Sequence, residues 1–173
     1  MTISMSSASL PVFKTMLGNL SHILGKGQAH VEARKIDPAA ILQYRLAPDM
    51  LPFTRQIQIA CDAAKNGIAR ISGVEAPKFE DKEASFDELK ARIQKTIDFL
   101  STVPNDKMDG TEEKSITFPV GPDKTRTMTG EAYLKHWALA NLHFHVVTAY
   151  AILRHNGVEL GKADFLAGAN RPT

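Results

Sequence analysis

Polar side chains interrupt the apolar stripe of the last long helical segment of the sequence, WALANLHFHVVTAYAILRHNG. Asn141, His145 and Thr148 recur at helical spacing, in line with Leu134 and Ile152. A buried polar group costs free energy unless it is hydrogen bonded, so this stripe predicts either polar partners or a bound ligand. Because imidazole titrates near neutral pH, His145 is a candidate general base.

An earlier apolar helical segment, FTRQIQIACD, supplies candidate partners. If the two segments pack antiparallel, Asp62 is predicted to face His145, and Gln56 to lie near the level of His155. A carboxylate fixes the tautomer of a neighbouring imidazole and raises its basicity, so Asp62 is predicted to orient a catalytic His145 or His155. The predicted ligand-binding residues of the same pocket are Asp49, Gln56, Asn141, Thr148 and Tyr150.

The histidines lack the spacing with which one helix supplies two metal ligands. His143 and His145 are separated by about 200° around a helix, and His145 and His155 by about 15 Å along it. Ligand pairs on one helix need i,i+3 or i,i+4 spacing. A metal site would therefore need ligands from several helices, so we predict no metal ligand from this pattern, and it identifies no cofactor. Cys61, in a stripe rich in Ile and Ala, is predicted to be an inert small hydrophobe.

Four long amphipathic helices are predicted to position these residues. The first runs from about Ser9 to Lys26 and is predicted to end at the Gly25-Lys26-Gly27 sequence. The others run from Pro48–Pro52 to Ser72, from the Ser85 capping box to Pro104, and from Thr129 to Asn156-Gly157. The pattern therefore indicates an all-α fold, a four-helix bundle.

Shorter elements connect the long helices. Asp37 and Pro38 begin a short extra helix that is predicted to run through Tyr44. Residues 115–129 alternate in polarity around a Gly-Pro turn, which predicts a small β-hairpin before the last long helix. The Gly-rich tail, 158–173, is predicted to be a loop.

Composition places the chain among globular proteins of one domain, predicted to span residues 1–173. The chain has 173 residues, 43% hydrophobic and 23% charged. A net charge of +2 predicts no nucleic-acid partner. Apolar runs fall short of the ~18 residues that a membrane span needs, so no membrane association is expected. The single cysteine, Cys61, is compatible with a reducing compartment, and we predict a cytoplasmic location.

Three segments resemble the bacterial family called domain of unknown function 1993. These segments are RLAPDMLPFTRQIQIACD, FEDKEASFDELKARIQKTIDFL and NLHFHVVTAYAILRHNGVELGKADFLAG. The family is grouped with the DinB/YfiT-like superfamily of four-helix bundles. This resemblance implies a DinB-like fold that often dimerises. It also implies a three-histidine metal site, which some superfamily members use in transfer reactions with low-molecular-weight thiols.

The residues at the superfamily's metal positions depart from its pattern. In this resemblance His155 takes the place of the last histidine ligand, on the fourth long helix. Ala151 stands four residues earlier, where the superfamily has histidine, and the ligand of the second long helix falls near Gln56. The resemblance therefore implies the fold more strongly than it implies metal chemistry.

The sequence supports three functional hypotheses. The first is a small-molecule-binding or enzymatic bundle with a polar pocket between the second and fourth long helices. The second is a non-catalytic dimeric protein whose polar core only specifies packing. The third is a metal-dependent transferase with a rearranged ligand set, for example His145 with carboxylates from another helix.

Extra apolar faces on two helices predict a homodimer. An apolar face outside the core needs a cover, and isologous pairing is the commonest solution. The alternative is that the hairpin and the tail cover these faces within one chain. The residues that lie off the main stripes are Val12, Met16 and His22 in the first helix, and Ala140, Val147 and Tyr150 in the last.

Overall fold

A computed structural model describes residues 3–167 as helices around an apolar core, with one two-stranded hairpin. This confirms the predicted all-α bundle, its short extra helix and its hairpin. The long helices are α1 (Met5–Arg34), α3 (Phe53–Ser72), α4 (Phe86–Thr102) and α6 (Leu139–His155). The short elements are α2 (Pro38–Leu42), a 3-10 turn (Asn105–Lys107), β1 (Ser115–Pro119), β2 (Thr125–Thr129), α5 (Gly130–Tyr133), a π-helical turn (Leu134–Ala138) and α7 (Lys162–Phe165).

The apolar stripe of each long helix faces one common core. Burial of these side chains is the main driving force for the bundle. Fully buried examples are Phe13 and Leu17 of α1, Ile57 and Ile68 of α3, Leu89 of α4, and Leu142 and Ile152 of α6. Within residues 3–167, no helix combines the length and the apolarity that a membrane crossing requires.

The predicted end of α1 at Gly25-Lys26-Gly27 is wrong. The helix continues to Arg34 and ends with Lys35 in the left-handed conformation (φ 55°). Gly27 is needed for close packing instead, because a Cβ atom at this position would lie 2.9 Å from the Cδ2 atom of Leu153 in α6. A glycine that allows close packing of a neighbouring helix therefore looks the same in the sequence as a glycine that ends a helix.

Capping residues mark the other helix ends where the sequence predicts them. The Asp37 carboxylate accepts the Ala39 backbone N–H (2.9 Å) at the start of α2. Gly73 ends α3 with φ 78°. The Ser85 hydroxyl oxygen accepts the Glu88 N–H (3.2 Å) at the start of α4. These contacts define where the helices begin and end. They therefore help to set the axial positions of the polar residues along the helices.

The hairpin packs on the start of the last long helix. β1 and β2 pair antiparallel, with Ser115 opposite Thr129. The Phe118 ring of β1 contacts the rings of Tyr133 (4.8 Å between centroids) and Trp137 (4.9 Å). The hairpin thus packs against two aromatic side chains that precede α6, one at the end of α5 and one in the π-helical turn.

The tail forms an ordered cover on α1, whereas the sequence predicted a loop from residue 158 onward. The Asp164 carboxylate of α7 contacts Lys26 (2.9 Å) and His22 (3.2 Å), and the Asn19 amide donates to the Phe165 carbonyl (2.7 Å). The remaining part of the predicted loop, 168–173, lies outside the described residues. The chain itself thus covers part of the α1 surface from which the sequence predicts a dimer, and Met16 of that surface is buried.

Candidate functional site

Helices α3 and α6 pack antiparallel and bring the polar residues of both helices together. Gln56 lies opposite His145, with 2.8 Å between Gln56 Oε1 and His145 Nδ1. Further along, a Cβ atom on Gly67 would lie 3.1 Å from the Cβ atom of Ala138. The antiparallel arrangement is confirmed, but the predicted facing of Asp62 and His145 is wrong. The observed partner, Gln56, lies six residues before Asp62 in α3, about 9 Å nearer the start of the helix.

The Gln56–His145 pair is a buried hydrogen bond between α3 and α6, and within residues 3–167 His145 Nε2 has no hydrogen-bond partner. The Gln56 amide nitrogen donates to the Leu51 carbonyl (2.9 Å), so its oxygen faces the imidazole and accepts the proton on Nδ1. Both side chains are buried, and burial lowers the pKa of His145. Gln56, rather than the predicted Asp62, therefore sets the tautomer of a neutral His145.

A π-helical turn lines part of a cleft between α3 and α6. The turn, Leu134–Ala138, interrupts the helix between α5 and α6. Beside it is a cavity of about 120 Å³, which we call the α3–α6 cleft. Two of the predicted pocket residues, Asp62 and Asn141, lie here together. The full lining is Ile59, Asp62, Ala63, Asn66, Arg70, Tyr133, Trp137, Ala138 and Asn141.

The polar side chains of the cleft differ in how far they are already paired. Asp62 Oδ1 accepts from Arg92 Nη2 (3.1 Å), whereas Asp62 Oδ2 has no hydrogen-bond donor within residues 3–167. Asn141 donates its amide N–H to the Trp137 carbonyl (2.8 Å). Arg70 donates to the Tyr133 hydroxyl (3.0 Å). Asp62 Oδ2 is thus available to accept a hydrogen bond from water or from a ligand.

Four other predicted site residues lie outside the cleft. His155 is exposed, with its ring centroid 5.6 Å from that of Tyr44, and Asp49 lies exposed before α3. His155 and Asp49 therefore do not line the α3–α6 cleft, and their predicted catalytic and ligand-binding roles stay predictions. The Thr148 hydroxyl donates to the backbone carbonyl one turn earlier (2.7 Å), which satisfies it locally. The Tyr150 hydroxyl donates to the Leu160 carbonyl (3.4 Å), on the side of the tail.

Sequence reasoning missed a buried arginine at the centre of a carboxylate cluster. The run EDKEASFDELKAR suggests a solvated helix face, yet Arg92 is only 3% exposed. Its guanidinium contacts Asp62 (3.1 Å), Asp81 (3.0 Å) and Glu83 (3.0 Å). The available signal was its position, one turn after Leu89 on the apolar stripe of α4.

The same cluster fixes the irregular segment between α3 and α4. Arg92 also donates to the Glu80 carbonyl (3.2 Å), and Lys65 Nζ donates to the Pro77 carbonyl (2.8 Å). Partial desolvation opposes a low pKa at Asp81, but hydrogen bonds and charge from Arg55 and Arg92 outweigh it and lower that pKa. Asp81 is therefore ionised at neutral pH and holds this segment against the two helices.

The nearby thiol is not part of a reactive site. Cys61 is fully buried, and burial raises the pKa of its thiol to about 12. Because the thiolate is the nucleophile, the protonated Cys61 has the inert role that the sequence predicts.

A family model, "Domain of unknown function (DUF1993)", matches residues 5–166. The chain belongs to this family. A crystal structure of a DinB family member protein from Shewanella denitrificans is 38% identical in sequence, with a TM-score of 0.88. The match covers 97% of this chain and 94% of the other. A comparison with curated proteins finds no significant match.

The residues at the superfamily's metal positions do not fit a metal ion. Gln56 faces His145 through a hydrogen bond and is about 15 Å of helix away from the level of His155. An amide oxygen already engaged by an imidazole N–H is a poor ligand for a metal that prefers histidine or thiolate. Within residues 3–167, no three His, Cys, Asp or Glu side chains are grouped as a metal site requires.

Proposed function

We propose that this DUF1993 protein binds a small polar molecule in the α3–α6 cleft. The π-helical turn at Leu134–Ala138 is the observation that carries this proposal. Such turns are rare and concentrate at functional sites, because they change the direction of side chains within a helix. Here the turn lies where Trp137 lines the cleft together with Asp62 and Asn141.

The lining indicates the chemistry of the ligand. Trp137, Ile59 and Ala63 offer apolar surface, while the open Asp62 Oδ2 accepts a hydrogen bond from an N–H or O–H group. The volume of about 120 Å³ is several times the space that one water needs. A compact molecule with at least one hydrogen-bond donor and a flat apolar part therefore fits best.

The fluorescence of Trp137 tests the proposal directly, since the chain has a single tryptophan. A thermal-shift screen of small amines, amides and alcohols of metabolic origin selects candidates, because a ligand of the native state raises its melting temperature. We expect a candidate that raises the melting temperature also to change the Trp137 emission in a saturable way.

Two matched alanine-to-leucine substitutions localise the binding. Ala63→Leu fills the cleft and is expected to weaken binding about tenfold or more, since a side chain must be displaced. Ala91→Leu, the same change on α4 outside the cleft, is expected to leave the affinity unchanged. The proposal is wrong if no compound in the screen changes the Trp137 emission, or if Ala63→Leu binds as tightly as the unmodified protein.

A structural polar core is the second candidate function, favoured by the burial of the Gln56–His145 pair. His145 does not line the α3–α6 cleft, so the cleft supports binding rather than base catalysis. If the pair only specifies packing, His145→Leu should orphan Gln56 and lower the free energy of unfolding by about 1–3 kcal/mol, with ligand affinity preserved. Urea unfolding and the fluorescence titration together separate the two roles.

The cytoplasmic location remains a proposal supported by the single cysteine.

A further inference from the structure

We propose that a second cavity, beside α4, binds an organic oxyanion: a carboxylate or phosphate group attached to a small apolar body. The cavity has a volume of about 380 Å³, within the range of small-molecule sites. It lies between the irregular segment after α3 and the exposed side of α4. The lining of this α4 cavity is Lys78, Phe79, Glu80, Lys82, Glu83, Glu88, Ala91, Arg92 and Lys95.

The acidic residues of the α4 cavity are already engaged within the protein. Glu80 pairs with Lys82 (2.7 Å), and Glu83 pairs with the buried Arg92 (3.0 Å). The Glu88 carboxylate accepts a backbone N–H before the start of α4 (2.6 Å). The three carboxylates thus already pair or accept hydrogen bonds within the protein, and the four cations of the lining against these three anions leave a formal charge of +1.

Two lysines remain without a counter-charge. Within residues 3–167, Lys78 and Lys95 form no ion pair and no hydrogen bond, although both line the cavity. Arg92 lies at its inner wall, and the Nε atom of Arg92 is buried without a hydrogen-bond partner. This Nε atom is inaccessible to solvent, so an anion in the cavity would contact the two lysines rather than Arg92 Nε.

The same lining provides an apolar contact for the body of the ligand. The Phe79 ring is held in place by two cations, Lys65 Nζ at 5.0 Å and the Arg92 guanidinium carbon at 5.3 Å from its centroid. An oxyanion between Lys78 and Lys95 would complete the charge pairing, while Phe79 contacts the apolar part. This site has a lining different from that of the α3–α6 cleft, which it meets at the Arg92–Asp62 contact, and it goes beyond the function proposed there.

Amide chemical shifts of the ¹⁵N-labelled protein test the proposal with defined probes. Benzoate and phenyl phosphate carry the two kinds of oxyanion on the same ring, and benzamide is the uncharged counterpart. We expect benzoate, phenyl phosphate or both to shift the amides of residues 78–95 in a saturable way, and benzamide to bind at least about tenfold more weakly. A response to one probe alone identifies the oxyanion. The proposal is overturned if neither anion shifts these amides or if benzamide binds equally well.

Charge-matched variants locate the anion. Lys78→Gln combined with Lys95→Gln should weaken binding about tenfold or more, because two charge-assisted contacts are lost. Lys107→Gln combined with Lys124→Gln removes the same charge from exposed positions elsewhere and should not change the affinity. Equal losses in the two pairs would refute a specific site. Ala91→Leu should block this cavity, whereas Ala63→Leu should not, which separates this test from that of the cleft.

Discussion

Arg92 joins α3, α4 and the segment between them because its guanidinium meets carboxylates from two parts of the chain. Asp62 belongs to α3, whereas Asp81 and Glu83 belong to the irregular segment. Glu83 is itself largely shielded, and it also accepts the Gln58 amide (2.7 Å). The single Arg92 side chain thus stabilises the negative charge of three carboxylates.

We predict that Arg92→Met is strongly destabilising. Methionine preserves much of the side-chain volume but leaves Glu83 without its cation and Asp62 with Lys65 alone, at 3.6 Å. Removing one partner of a buried ion pair costs about 3–5 kcal/mol. Because Asp62 and Asp81 are partly exposed, we expect a loss of about 3 kcal/mol in the free energy of unfolding, measured by urea titration at neutral pH.

Lys95→Met on the same helix is the matched control. Lys95 is exposed and unpaired within residues 3–167, so the same loss of charge should change stability by less than about 0.5 kcal/mol. Similar stabilities for the two variants would show that the carboxylates do not depend on Arg92.

At the same scale, residue types were easier to predict from the sequence than residue partners. The polar residues Asp62, Gln56, Asn141 and His145 do lie between α3 and α6. Their pairing depends on the axial offset of two helices that are not consecutive, and no short turn between them fixes that offset. An error of about six residues, roughly 9 Å, exchanged Asp62 for Gln56 as the partner of His145. Patterns of apolar residues define which face of a helix is buried, but they do not define the axial offset between two packed helices.

Among the elements, α7 is held against α1 by the Asp164 carboxylate and by the Asn19 hydrogen bond to the Phe165 carbonyl. Asp164 accepts from Lys26 (2.9 Å), His22 (3.2 Å) and the Gly161 backbone N–H (2.9 Å). The hydrogen bonds from Lys26 and Gly161 lower the pKa of Asp164 to about 2. The ionised form is therefore the one that the folded contact prefers.

This preference predicts a specific pH dependence for α7. Since the pKa is lower in the folded state than its usual value of 3.8, the contact contributes fully above about pH 4 and is lost as the pH falls towards 2. We expect Asp164→Asn to speed hydrogen exchange of residues 162–166 several-fold at neutral pH. Glu159→Gln, nearby and without an ion pair within residues 3–167, should not. Exchange that is unchanged in Asp164→Asn would contradict the role of this carboxylate.

The glycines of α1 show why element boundaries were only partly predictable. Asp37, Gly73 and Ser85 act through contacts within a few residues of themselves, so their signals in the sequence predicted helix ends correctly. Gly27 acts through Leu153, more than a hundred positions later, and its signal was misread as a stop. Local chemistry can be read from the sequence, whereas close approach between distant helices depends on the assembled bundle.

For the whole molecule, one apolar face remains uncovered within residues 3–167. Ala140, Phe144, Val147 and Ala151 recur at helical spacing along α6. Phe144 is 58% exposed and Val147 is 49% exposed, although α7 covers Tyr150 nearby. Burying such a stripe against a second copy is favourable by about 25 cal/mol per Å² of apolar surface, and a two-fold axis lets one stripe cover itself.

We therefore predict a homodimer that pairs through α6. Light scattering coupled to size exclusion at micromolar concentration should give about twice the chain mass of 19.0 kDa. Phe144→Glu combined with Val147→Glu should return the mass to 19.0 kDa, because four carboxylates would then face one another across the two-fold axis. Val120→Glu, at an exposed position of the hairpin turn, should leave the dimer intact. A 19.0 kDa species for the unmodified chain would rule out the dimer, and a dimer that survives both α6 substitutions would place its interface on another face.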